Sequence, residues 1–288
     1  MTTRRKAPTF DLPNLAVHAL WAVWIATLIA TWSSLGWPAR LGMLALGLWI
    51  NFWNYAVLHN HMHLSIARPK LAHWLVSRTL GIAVGFAYRG FYLHHFNHHK
   101  YSNAPGDWGR FEEGDSVLWY SVRSTLLAWT PGSALMRHLF KATKTKKEVI
   151  EFLFDLVLID GGIVLLIALQ PSLGLSYWAV LLVGQTGIFY INYAAHDGAD
   201  GTQKARLAIT STSRFYNTVF FNAGYHQAHH VRPQAPWREL PALTAALAKD
   251  GLVAQDLVTD ISPTSPRWVR LLGKPRAASL AECAPQQT

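Results

Sequence analysis

Nine of the fourteen histidines in this 288-residue chain stand at spacings that can gather around metal ions. Eight lie in the runs His59-Asn60-His61-Met62-His63, His95-Phe96-Asn97-His98-His99 and His226-Gln227-Ala228-His229-His230 (His61 apart), and the ninth is His196 in Asn192-Tyr193-Ala194-Ala195-His196-Asp197-Gly198. Imidazole is the side chain that binds zinc, copper and iron most readily near neutral pH. Residues four apart on a helix share a face, so His59 and His63 point one way and His61 points away. In each H-x2-H-H run the first histidine shares a side with one member of the adjacent pair. That pair diverges by about 100° around the helix, so its members can serve different ions. The set His59, His63, His95, His98, His99, His196, His226, His229 and His230 is too large for one ion and implies a two-metal centre. Soluble di-iron bundles combine carboxylates with Glu-x-x-His, a spacing absent from this chain. Asn60 and His61 follow His59, so the zinc-protease pattern is absent as well.

Elements must bring these clusters together, and the composition says what kind. Hydrophobic residues make up 51% of the chain, charged residues only 15%, and there are 13 Trp, which points to a membrane protein. Four stretches, approximately 15–35, 41–58, 152–170 and 175–195, are long enough to cross a hydrocarbon core of about 30 Å. The connections Ser33 to Arg40 and Gln170 to Ser176 are short, which makes two helical hairpins. Thr79 to Tyr88 is apolar but bounded by Arg78 and Arg89, and 117–130 is interrupted by Arg123, so both read as interfacial or re-entrant. The expected fold is an all-α integral membrane protein with four transmembrane helices in two hairpins. A cytoplasmic helical cap, 59–148 and 196–262, carries the histidines. Residues 1–262 form the membrane domain and 263–288 a flexible tail.

Charge sets the expected orientation. All but Arg40 of the 26 Lys and Arg lie in the amino-terminal arm, in 59–148 or after 196, which the positive-inside rule places in the cytoplasm. The second span then ends at His59 and the fourth at His196 on one membrane face, with both termini there too. The net charge of +10 is not concentrated in an aromatic-interleaved patch, so no nucleic-acid partner is expected. The single cysteine, Cys283, excludes intramolecular disulfides and Cys-built metal sites. Arg4-Arg5-Lys6 precedes an apolar run too long for a signal peptide, which reads as an uncleaved anchor.

The three boxes, in this order and between membrane hairpins, resemble the integral-membrane fatty acid desaturase and hydroxylase superfamily over roughly residues 40–240. His98-His99-Lys100-Tyr101-Ser102-Asn103-Ala104-Pro105-Gly106-Asp107 is similar to that family's second box and its acidic loop. Asn192-x3-His196 matches an additional ligand position, with Asn192 a partner through water. Tyr225-His226-x2-His229-His230-x-Arg232-Pro233, followed by Pro236-Trp237 and Leu240-Pro241, resembles the third box of bacterial members. The resemblance implies two non-haem iron ions with O2 as co-substrate, oxidising an unactivated C–H bond of a lipid in the bacterial cytoplasmic membrane. The expected reaction is fatty acyl desaturation. Hydroxylation or ketolation of an acyl chain, alkane or carotenoid is the alternative, because His94 with His98 and His99 resembles alkane hydroxylases and Pro236-Trp237 resembles carotenoid ketolases. Electrons would come from an external ferredoxin or rubredoxin with its reductase, docked on the basic face.

Other polar residues have plainer roles. His18, His73 and His138 read as structural, and His61 and His94 as hydrogen-bonding or supporting groups. Asp107 and Asp197 are candidates to orient ligand imidazoles through their second nitrogen. Glu151, Asp155 and Asp160 lie in or near the third span, where charge is costly and often functional. A metal transporter or a haem electron carrier would need its ligands deep inside the spans, whereas these histidines sit at helix ends and beyond.

Overall fold

The computed structural model describes residues 9–112 and 114–269; Arg4-Arg5-Lys6, Cys283 and the tail from Arg270 onward lie outside them. The described chain is helical. α1 (Leu12–Thr31), α2 (Trp37–His63), α3 (Lys70–Val84), α4 (Tyr88–Tyr101), α5 (Val117–Trp129), α6 (Ala134–Ala142), α7 (Lys146–Leu169) and α8 (Pro171–His196) follow one another. The short helices α9 (Arg214–Val219), α10 (His226–Val231) and α11 (Leu240–Lys249) come next, with one parallel pair, β1 (Thr210–Ser211) and β2 (Val258–Thr259). α1, α2, α7 and α8 are long and apolar enough to cross a membrane, at the four expected places. The chain divides into two compact units, one up to Phe91 with Thr143–Gln185, the other Tyr92–Ala142 with Thr186 onward.

In the first unit, Pro13 and Pro38 open α1 and α2, where a missing N–H does no harm. The two pack closely because Gly47 leaves room for the Trp24 indole, whose ring a Cβ would meet at 2.0 Å. Trp32 Nε1 donates to Ser172 Oγ at 2.9 Å, which ties the two hairpin turns together at one end of the unit. The histidines of α2 are therefore at its other end. α2 itself runs on through His63, past the end expected near His59, and closes with the Leu64 N–H bonded to the Asn60 carbonyl. A capping box between Thr145 and Glu148 starts α7, and a π turn interrupts it at Val157–Gly161.

The apolar run 79–88 is the end of α3 and the start of α4, separated by Gly85 at φ +74°. A helix that stops inside a membrane protein leaves carbonyls that lipid cannot satisfy. Here side chains of the spanning helices satisfy them. Asn51 donates to the Ala83 carbonyl, Tyr55 to Val84, Tyr177 to Ile82 and Gln185 to Gly85, all between 2.7 and 2.9 Å. Asp155 of α7 joins the same region: it pairs with buried Arg78 at 3.2 Å and accepts the Arg89 N–H at 2.8 Å in the first turn of α4. Its role is structural.

In the second unit, α10 and α11 pack through Ala228, Leu240 and Leu247. The start of the expected tail is anchored there. Trp268, only 1% exposed, packs with Ala194, Ile209 and Leu257, and the Tyr190 hydroxyl donates to the Pro263 carbonyl. Trp268 has enough apolar surface to hold this segment down.

Replacing Asp155 with Ala would leave Arg78 buried without its counter-charge. The expected loss is about 3 kcal/mol or more, read as a lower melting temperature in detergent; an unchanged melt would refute the structural role given to this pair.

Candidate metal centre

In the first unit, His59 and His63 occupy the last turn of α2 with ring centroids 5.1 Å apart. The residues between them face the protein and hold that turn. Asn60 Nδ2 donates to Asn14 Oδ1 at 3.1 Å. His61 Nδ1 accepts the Ile66 N–H, its Nε2 meets Ser77 Oγ at 3.0 Å, and its ring stacks on His73. His18 bridges Asn54 and Thr79 at 2.8 Å each. His18 and His73, read as structural, and His61, read as a hydrogen-bonding or supporting group, are all engaged in hydrogen bonds within the fold.

In the second unit, seven histidines from α4, the end of α8 and α10 form two groups. His98, His196, His226 and His230 make one, and His95, His99 and His229 belong to the other. The adjacent pairs are split: His98 and His99 go to different groups, as do His229 and His230. In the first group, His98 Nε2 and His196 Nε2 are 3.0 Å apart, and His226 Nε2 lies 3.3 Å from His196 Nε2. In the second, His99 Nε2 stands 3.0 Å from both His95 Nε2 and His229 Nε2.

Hydrogen bonds decide what those contacts are. His98 Nδ1 meets the Asp107 carboxylate at 2.7 Å and His196 Nδ1 meets the Leu207 carbonyl at 2.8 Å. Both partners only accept, so both Nδ1 atoms carry the proton and both Nε2 atoms present lone pairs. His230 Nδ1 is bonded to Ser102 Oγ at 3.0 Å, and its buried Nε2 has no hydrogen-bond partner. Lone pairs facing each other at 3.0 Å repel unless a cation lies between them. Two nitrogens each about 2.1 Å from one ion and at right angles stand about 3.0 Å apart, so the spacing fits a shared metal ion. The donor set, imidazole throughout, suits iron, copper or zinc.

Burial disfavours the charged form of His196 and His230. Burial, reinforced by the surrounding imidazoles of His99, His226, His196 and His98, lowers His230 well below the ordinary histidine range. Burial also lowers His94 to about 4, with Asp107 opposing and His98 assisting. Burial pushes the Asp107 carboxyl up, but His98 and the N–H groups of Asn103 and Gly109 outweigh it and hold Asp107 ionised.

The carboxylate of Asp107, an expected orienting group, lies within hydrogen-bonding distance of His98 Nδ1. Asp197 is buried, next in sequence to His196, and His94 lies against Gly109 beside Asp107. Asn192 Nδ2 donates to the Tyr120 hydroxyl, which donates to the Gly109 carbonyl. Two supporting groups escaped sequence reasoning, Ser102 and the Leu207 carbonyl. No motif marks Ser102; the structure sets it in a tight turn, where Ser102 and Asn103 adopt φ +46° and +68° and Gly201 packs against the Ser102 carbonyl, which a Cβ there would meet at 2.2 Å.

Asp107→Asn keeps an acceptor for His98 but loses the charge. A 10–100-fold loss of metal affinity is expected, at about the cost known for such supporting groups; metal titration with a competing chelator measures it, and unchanged affinity would count against the pair. The buried neutral rings also set a pH dependence. Unfolded imidazoles take up protons near their ordinary pKa of about 6.5, while buried His94 resists until about 4. Stability of the metal-free protein should therefore be whole above that upper limit and fall as pH drops toward the lower one. Thermal melts in chelator across this window test it.

Comparison with known proteins places the chain among relatives. Over 233 residues the chain is 28% identical to a beta-carotene ketolase of Paracoccus sp., covering 79% of this chain and 85% of the relative. It is 25% identical over 196 residues to a second Paracoccus beta-carotene ketolase, covering 67% of this chain and 74% of that one. The family model for fatty acid desaturases matches residues 35–259, a span that contains all nine histidines. The chain belongs to the fatty acid desaturase family and is an oxidoreductase of its membrane di-iron type.

Proposed function

We propose that this protein is an O2-dependent carotenoid ketolase, which converts a ring methylene to a carbonyl. The observation that carries this is the match to two beta-carotene ketolases over most of both chains. It favours ketolation over acyl desaturation, the reaction expected first, and agrees with the Pro236-Trp237 sequence after the third box. His98, His196, His226 and His230 hold one iron ion, with Asn192 contributing through water. His95, His99 and His229 hold the other, completed by His59 and His63, whose spacing puts both on one helix face. Bound iron supplies O2 activation and the oxidising strength to break an unactivated C–H bond, which no side chain has.

The chain's own residues supply the rest. Asp107, the Leu207 carbonyl and Ser102 fix which nitrogen of His98, His196 and His230 would face a metal, and burial disfavours the charged form of His196 and His230. Converting CH2 to C=O takes two oxidations of one carbon. Each consumes O2 with two electrons and two protons, and the diol then loses water. The electrons would come from a ferredoxin or rubredoxin with its reductase, on the cytoplasmic side of a bacterial membrane, a side that the Lys and Arg distribution supports for the active site.

Expression in a bacterial host that accumulates β-carotene tests the reaction. Carotenoids that have lost two hydrogens and gained an oxygen, seen by mass spectrometry, are expected. Unchanged carotene with new double bonds in the host's acyl chains would replace this reading with desaturation. Changing any one of His98, His99, His229 or His230 to Ala should abolish turnover while membrane insertion persists; activity retained in one would remove that residue from the ligand set.

A further inference from the structure

Two acids stand five residues apart in α7 and have opposite surroundings. Asp155 is buried, ion-paired with Arg78, and accepts the Arg89 N–H. Asp160 lies on the exposed surface of the helix, and among the described residues no hydrogen bond or ion pair reaches it. Its neighbours there are Leu153, Val157 and Val164, exposed at 45%, 71% and 65%, a composition suited to lipid. Nine residues separate Asp160 from Leu169, where α7 ends. At about 1.5 Å per residue that is about 14 Å, close to the midplane of a core about 30 Å thick. An Asp side chain is too short to reach water from that depth. It needs a polar partner at its own level in the membrane.

The backbone beside it is open. A Cβ on Gly162 would meet nothing within 4 Å, and one on Gly161 only Val157 at 3.9 Å. Glycines bare at a helix surface let a second helix approach closely. The acid also falls within the π turn Val157–Gly161, a rare geometry found frequently at functional sites.

We propose that this face of α7 is where two copies of the chain associate in the membrane, with Asp160 hydrogen-bonded to the partner's Asp160. A second copy inserted the same way and related by a two-fold axis along the membrane normal brings each residue to its counterpart at the same depth. A carboxylic acid carries one donor and one acceptor, so two of them satisfy each other. An acyl chain offers neither group. The open backbone at Gly161, about 100° round the helix from Asp160, flanks that contact and lets the two helices come close.

Fluorescently labelled full-length protein, reconstituted in phospholipid vesicles at increasing protein-to-lipid ratio, tests this by counting bleaching steps per particle. Wild type should pass from one step to two. Asp160→Leu should weaken association by about tenfold, the weight of one interhelical hydrogen bond in lipid. Asp160→Asn, which keeps a donor and an acceptor, should retain most of it, and Gly161→Leu should lose it through bulk. Gly161→Cys in a Cys283→Ser background should form an intermolecular disulfide, a readout that does not depend on the Asp160 variants folding. Wild type that stays monomeric at every density would overturn the proposal. So would Asp160→Leu associating as tightly as wild type, which would place the interface elsewhere.

Discussion

Neutral imidazoles whose open nitrogens face each other at 3.0 Å are in electrostatic conflict until something positive lies between them, and the second unit is built around that conflict. The Asp107 carboxylate and the Leu207 carbonyl force the proton onto Nδ1 of His98 and His196, leaving two lone pairs aimed at one point. Burial closes the other escape, protonation, by making a charged His230 unfavourable. A metal ion resolves all of this at once. Binding energy that would otherwise go into reorganising the rings is already spent in folding, which is why the supporting residues matter as much as the ligands.

The same logic of satisfied polar groups governs the first unit, with lipid in place of metal. α3 stops among membrane-spanning helices, and its last carbonyls have no water to turn to. Asn51, Tyr55, Tyr177 and Gln185 reach in to satisfy them. These side chains look out of place in apolar helices until the end of α3 is seen between them. Asp155 belongs to the same arrangement, because it supplies an acceptor for the first turn of α4 and a counter-charge for Arg78. α4 carries three of the nine histidines, so its start is fixed by an acid that has no contact with metal chemistry.

Similarity to the ketolases changes which reaction is best supported without changing the candidate centre. Desaturation, hydroxylation and ketolation all require an oxidant strong enough for an unactivated C–H bond and a scaffold that meets apolar substrates in the bilayer. The histidine groups answer the first need and the four spans the second. What distinguishes the outcomes is how the substrate carbon is presented, and for that the similarity to the ketolases is more informative than the boxes themselves.

The amino-acid sequence by itself determined the four spans, the family and the division of labour within each adjacent histidine pair. Hydropathy and helical period are local properties, and neighbours about 100° apart on a helix must look in different directions. Only the tertiary structure decided which nitrogen of each ring is open. That depends on Ser102 and the Leu207 carbonyl, groups that lie far along the chain from His230 or belong to the backbone and leave no mark in a motif. It also decided the fate of the two acids in α7. Asp155 and Asp160 are equivalent in composition and near neighbours in sequence, yet one is enclosed by Arg78 and the start of α4 while the other faces outward. Which side of a helix meets protein is set by what packs against it, and that information is distributed over the whole fold.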